Sequence, residues 1–210
     1  MCWRTILVTS ENASVQHLSR AQLEAGLGHV LDSPAANGTL VLLVRRPAVG
    51  IRELAAEATL DPAAGLVGDN WLDRRSSSTP DGSADPQRQV TVMNARLAEL
   101  VAGSPDRMAL AGDQLYVDLD ISVRNLPAGS RLTVGDAVLE VSAVPHTGCA
   151  KFVARFGPDA MRFVNSRVGR KLRLRGMNAR VVQAGTVHLG DRVNPSREAA
   201  AEHTSSATVA

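Results

Sequence analysis

Aromatic side chains are scarce in this 210-residue chain, at 3% of the total. They are Trp3, Trp71, Tyr116, Phe152, Phe156 and Phe163. A core of this size must therefore be assembled from Val, Leu and Ala. Too few rings remain for a base-stacking platform, which argues against single-stranded nucleic-acid binding. Long apolar runs are missing as well: the longest, Thr39–Val44, stops at Arg45-Arg46, far short of the ~20 residues a membrane span needs. The N-terminal MCWRTILVTSEN has neither the basic start nor the apolar stretch of a secretory signal. Cysteine is limited to Cys2 and Cys149, too few for a disulfide framework. The expectation is a cytoplasmic protein with no membrane or nucleic-acid partner.

What is present is globular composition, with 44% hydrophobic and 21% charged residues, in a length that suits one domain with tails. The net charge of +2 conceals an asymmetry. Residues 1–130 carry 11 Lys/Arg against 15 Asp/Glu, whereas residues 131–193 carry 11 against 4. A basic C-terminal half suits an anionic ligand such as a phosphate better than a duplex, because no clustered reading motif accompanies the charge.

Periodicity divides the chain into 1–38, 39–194 and 195–210. Residues 10–31 predict a helix or helix pair, with Ser10 as candidate N-cap and Val15, Leu18, Ala21 and Leu23 as its apolar stripe. Thr39–Val44 predicts a buried strand, and Gln89–Met93 another. GIRELAAEATL, residues 50–60, has helical propensity, and 73–89 is a polar loop. From 112 to 193 turn signals recur about every ten residues. Short alternating stretches lie between them: Leu115–Leu119, Arg131–Val134, Ala137–Val144, Ala179–Gln183 and Thr186–Val187. This spacing predicts a mainly β fold, an antiparallel barrel or sandwich, with a few short helices and an N-terminal helical segment. One helix is expected over Asp159–Ser166, behind Gly157-Pro158. Leu172-Arg-Leu-Arg175 alternates, which would put Arg173 and Arg175 on one outward strand face. The tail from Pro195 is small and polar, and disorder is expected there.

The most informative stretch is Val144-Pro-His-Thr-Gly-Cys-Ala-Lys-Phe152. Pro145 takes the chain out of a strand, Gly148 permits a tight turn, and Cys149 sits at its tip. His146, Lys151 and Arg155 lie within six residues. Cationic neighbours favour a thiolate, the form that attacks sulfur or binds metal, so Cys149 is either a reactive or ligating thiol or a structural one. A zinc site is disfavoured, since only Cys2 remains as a second thiol. His146 alone fits a hydrogen-bonded turn residue. Asn165 and Ser166 fit a helix end or a contact to the Cys149 loop or an anion. Turn chemistry accounts for Gly68-Asp69 and Gly112-Asp113.

Several segments taken in order resemble the MOSC domain, named for the C-terminal domain of molybdenum-cofactor sulfurases. They are Gly65-Leu-Val-Gly-Asp69, Gly112-Asp113-Gln114, Asp118–Ser122, Asn125-Leu-Pro127 and Gly135–Val141. Pro145–Phe152, Arg155-Phe-Gly157, Phe163–Ser166, Leu172–Gly176, Ala179–Val182 and Gly190-Asp191 follow. The similarity runs from about residue 39 to 194 and is of the stand-alone bacterial type. The resemblance implies a β-barrel-like fold. It also implies that Cys149 carries sulfur as a persulfide or ligates the molybdenum of the pterin molybdenum cofactor (molybdopterin). With Cys149 as metal ligand, the implied activity is reduction of N-hydroxylated compounds; a non-catalytic pterin- or protein-binding module is the other outcome. His146, Lys151, Arg155, Arg124 and Asn165 are the candidate cofactor-binding residues, with Arg167 a further basic candidate. The chain shows no pyridoxal-phosphate-binding desulfurase domain, so sulfur would come from a cysteine desulfurase, and reducing electrons from an electron-donor protein. Residues 1–38 are too few to form the N-terminal barrel found in amidoxime-reducing relatives.

Overall fold

A computed structural model describes residues 3–7 and 16–196. Ser10 and Val15 lie outside them, as does the tail beyond Ser196. The N-terminal part holds strand β1 (Trp3–Leu7) and two short helices, α1 (Arg20–Ala25) and α2 (Leu27–Leu31). α1 is capped by Ser19, whose side chain accepts from the Gln22 amide while the Gln22 side chain accepts from the Ser19 amide. Of the expected stripe, Leu23 is buried and Leu18 packs partly against the same core.

Seven strands close into a barrel. They are β2 (Gly38–Arg45), β6 (Val90–Asn94), β7 (Leu115–Asp118), β8 (Arg131–Val134), β9 (Ala137–Val141), β10 (Met177–Gln183) and β12 (Arg192–Ser196). The order β2-β12-β8-β9-β10-β6-β7 returns to its start because β7 also pairs with β2. The resemblance pointed to a barrel, and closure removes the edges a sandwich would leave. Six of the pairings are antiparallel; β6 and β7 run parallel. A parallel pair needs a crossover. Here it is α3 (Ala95–Ala102) followed by a 3-10 segment, Pro105–Ala111, helical structure that the sequence reading did not anticipate. Pro195 and Ser196 belong to β12, paired with Leu132 and Arg131, so the tail begins later than expected.

Alternation sorts the side chains. In β9, Ala137, Leu139 and Val141 point inward. Leu40, Leu43, Leu132, Val134 and Val193 complete an aliphatic interior, as the shortage of rings required. Four of the six aromatics, Tyr116, Phe152, Phe156 and Phe163, instead join a second core between the barrel wall and the helices.

Residues 50–60 are not helical. They form β3 (Ile51–Ala55) and β4 (Glu57–Asp61). Alternation won over propensity: Ala58 and Leu60 are buried between the more exposed Glu57, Thr59 and Asp61. Both strands also find partners, β3 between β1 and β2, and β4 between β5 (Gly65–Leu66) and β11 (Gly185–His188). The helix expected at Asp159 begins earlier. α4 (Ala150–Val164) starts directly after Cys149 and kinks at Gly157, whose φ of 85° and ψ of 167° are not helical. The expected strand at Leu172–Arg175 is a turn after α5 (Arg167–Lys171).

Candidate functional site

The Cys149 loop joins β9 to α4, and Cys149 is the N-cap residue of α4, its thiol free and exposed. Asn165, at the far end of α4, holds the loop. Its Oδ1 accepts from the Gly148 amide at 3.0 Å and its Nδ2 donates to the Gly148 carbonyl at 3.3 Å. Ser166 caps α5 instead, accepting from the Gly169 amide at 2.9 Å. Of the two roles weighed for this pair, Asn165 takes the loop and Ser166 the helix end.

Behind the loop lies a buried polar group of three. Asp113 is fully buried, and its Oδ2 receives Arg175 Nη1 at 2.6 Å. Arg175 Nη2 donates to the Ala111 carbonyl, and the guanidinium lies 5.0 Å from the centre of the Phe152 ring. His146 Nδ1 stands 3.3 Å from Asp113 Oδ1, without hydrogen-bond geometry. Burial, reinforced by Arg175 and Arg46, holds the His146 imidazole well below its ordinary value, and so neutral. Burial pushes the Asp113 carboxyl up while Arg175 pulls it down. Arg175 is therefore an inward residue, not an outward strand side chain. Arg173 is half-buried, with a left-handed φ of 50° and Nη1 donating to the Leu126 carbonyl at 2.6 Å.

On the other side of Gly112, positive charge accumulates. Arg46 is buried against Asp69, with Nε and Nη2 on its two carboxylate oxygens at 2.8 and 2.9 Å, and Nη1 donates to the Gly112 carbonyl. Asp69 is thus a buried ion-pair partner as well as a turn residue. Arg52 is 6% exposed; its Nη1 meets only the Ile51 carbonyl and its Nε meets nothing. Arg155 donates to the Leu110 carbonyl at 2.6 Å. Guanidinium nitrogens of Arg52 and Arg155 both lie 3.4 Å from the point a Cβ on Gly112 would occupy. Burial, then Arg155 and Arg46, push Arg52 down to about 10. Burial also lowers Arg155, which the Cys149 sulfur pulls upward, so Arg155 links the arginine cluster electrostatically to the cysteine. Arg74 is lowered by burial and by Arg46 in the same neighbourhood.

The sequence-predicted residues thus divide. Cys149, His146, Asn165 and Arg155 gather on or beside one loop. Lys151, Arg124 and Arg167 are exposed, with no hydrogen-bond or ion-pair partner among the described residues. Among the described residues no group of three or more His, Cys, Asp or Glu side chains is arranged to hold a metal ion. No helix among them is long and apolar enough to cross a membrane.

The family model for the MOSC domain matches residues 83–194, more than half of the chain. The chain belongs to the MOSC domain family. MOSC domains are associated with molybdenum-cofactor-related function in general, and the matched segment contains the whole Cys149 loop and the Asp113–Arg175 pair. Solved structures with this MOSC fold include YUAD protein from Bacillus subtilis, at 16% identity and TM-score 0.51, covering 75% of this chain and 94% of that one. YiiM from Escherichia coli is similar at 17% identity and TM-score 0.50, over 77% of this chain and 71% of that one. No curated protein matches the sequence.

Sequence reasoning missed Arg46, Arg52, Asp69, Asp113, Arg173 and Arg175 as inward groups. The available signal was charge set beside apolar residues, as with Arg52 and Glu53 between Ile51 and Leu54. The same pattern is equally consistent with a solvated face until the fold is known.

Proposed function

We propose that this MOSC protein binds the molybdenum pterin cofactor, with the Cys149 thiolate as metal ligand and the Arg52–Arg155 pair receiving the cofactor's phosphate. The supporting observation is Arg52: a residue only 6% exposed, with no carboxylate partner among the described residues and an unpartnered Nε. A buried cation without a counterion is costly, and an arriving anion removes that cost. The residues present fit the group. Two guanidiniums converge over Gly112 as a phosphate acceptor, Arg155 connects them to Cys149, and Cys149 is exposed for ligation. With no second protein ligand clustered near it among the described residues, any metal held here takes its remaining ligands from the cofactor itself. Asn165 fixes the loop that presents the sulfur, and neutral His146 lines the wall behind it. When bound, the cofactor would supply the two-electron chemistry that reduction of an N-hydroxylated compound requires, with electrons from a separate donor protein.

The test is elemental and pterin analysis of protein purified from a molybdate-fed host. Near-stoichiometric molybdenum and pterin are expected in the wild type, with molybdenum lost in Cys149→Ser and pterin lost in Arg52→Met. Absence of both from the wild type would overturn the reading.

The exposure of Cys149 also supports sulfur carriage. In that reaction the Cys149 thiolate attacks the terminal sulfur of a desulfurase persulfide. The new S–S bond forms on Cys149 as the donor's S–S bond breaks and its thiolate leaves. Incubation with a cysteine desulfurase and cysteine should raise the intact mass by ~32 Da, and Cys149→Ser should abolish the gain. A protein that loads neither metal nor sulfur, yet binds pterin with Cys149→Ser in place, is a binding module.

A further inference from the structure

A cavity of about 300 Å³ is lined by His146 and Arg175 of the buried polar group, together with the 142–147 segment, α5 and the turn at 173–177. Its walls are of two kinds. Val144, Val164 and Met177 supply apolar surface, while Arg170, Arg173 and Arg175 supply three guanidiniums; no acidic side chain lines it. Among the described residues only one of those charges meets a carboxylate, that of Arg175 at Asp113. Arg170 donates its Nε to the Asn165 carbonyl, and Arg173 has carbonyl partners and the Met177 sulfur. Arg175 is 6% exposed, and its Nε is buried without a partner. Burial lowers Arg173, the mark of a cation that lacks a counterion in a partly dry place. Arg173 also holds a left-handed backbone that few non-glycine residues adopt.

We infer that this cavity is a binding site for a small organic anion, a carboxylate or phosphate ester whose head meets Arg170 and Arg173 and whose apolar body packs against Val144, Val164 and Met177. The size suits a single-ring or short-chain molecule. The proposal stands apart from cofactor binding, because none of the cavity's walls is Arg52, Arg155 or Cys149. His146 and Thr147, which line the cavity, belong to the loop that ends in Cys149, but the cysteine itself does not line it.

The experiment is calorimetric titration of the full chain with benzoate, phenyl phosphate, inorganic phosphate and neutral benzyl alcohol. Benzoate or phenyl phosphate should bind and raise the melting temperature with concentration, and the tighter of the two identifies the head group. Arg173→Met should weaken the tighter by about tenfold or more, with Arg170→Met as a second variant whose exposed position spares the fold. Cys149→Ser and Arg52→Met should leave this binding unchanged, which separates its failure from failure of the cofactor reading. Three outcomes would each overturn the proposal: no binding by either aromatic anion to folded protein, equal binding by benzyl alcohol, or inorganic phosphate binding as tightly as phenyl phosphate.

Discussion

Arg52 states the residue-scale logic most directly. Arg52 is only 6% exposed and is faced by Arg155 and Arg46, so it subtracts from stability in the ligand-free chain, a cost that the proposed anion would offset. Arg46 differs, because Asp69 meets it with two oxygens. Arg52→Met is therefore expected to leave the unfolding free energy unchanged or raise it by about 1–2 kcal/mol in urea, while abolishing pterin co-purification. A loss of several kcal/mol would instead make Arg52 a structural residue.

At the scale of elements, α4 does two jobs because it is bent. Its first part begins at Cys149 and runs to Phe156, with Phe152 and Phe156 edge-on at 4.9 Å. Its second part starts at Pro158 and carries Asn165 back to Gly148. The bend rests on Gly157, where φ is 85° and ψ is 167°, a conformation essentially closed to other residues. A Cβ there would also meet His17 within 2.8 Å. Gly157→Ala should destabilise the protein by about 1–3 kcal/mol or more, read by thermal or urea unfolding. It should also increase the rate of Cys149 alkylation as the loop loosens. An Ala variant with wild-type stability and alkylation would show that the bend does not hold the loop. The Gly157-Pro158 pair was visible as a helix start. That another helical segment preceded it was not, because Ala150–Phe156 carries its apolar residues over too few turns to establish a period.

For the whole molecule, the half-buried neutral imidazole of His146 couples folding to acidity. Its value is lowered in the folded state, so below the ordinary histidine range the unfolded chain binds a proton that the folded chain refuses. Stability contributed this way is complete above about pH 6.5 and is lost as pH falls beneath it, by up to about 1.4 kcal/mol per pH unit. Chemical denaturation of wild type and His146→Gln between pH 7.5 and 5.5 should show the wild type falling more steeply. Parallel curves would mean that His146 is not held neutral. The comparison with the variant also removes the contribution of Asp113, whose upward shift acts in the opposite direction.

The sequence by itself determined the mainly β character, the turn rhythm from 112 to 193, the aliphatic interior and the membership of the MOSC family, because each is written in local alternation, turn residues or short ordered motifs. It did not determine the state of 50–60, the inward position of Arg175 or the burial of Asp69 and Asp113. Those depend on which strand lies alongside and which charge lies opposite, and such partners are distant in the chain: Asp113 meets Arg175 across 62 positions. Local pattern sets what a segment can become. Only barrel closure decided which side chains share a dry interior, and only there does a turn aspartate become a counterion or an arginine stand without one.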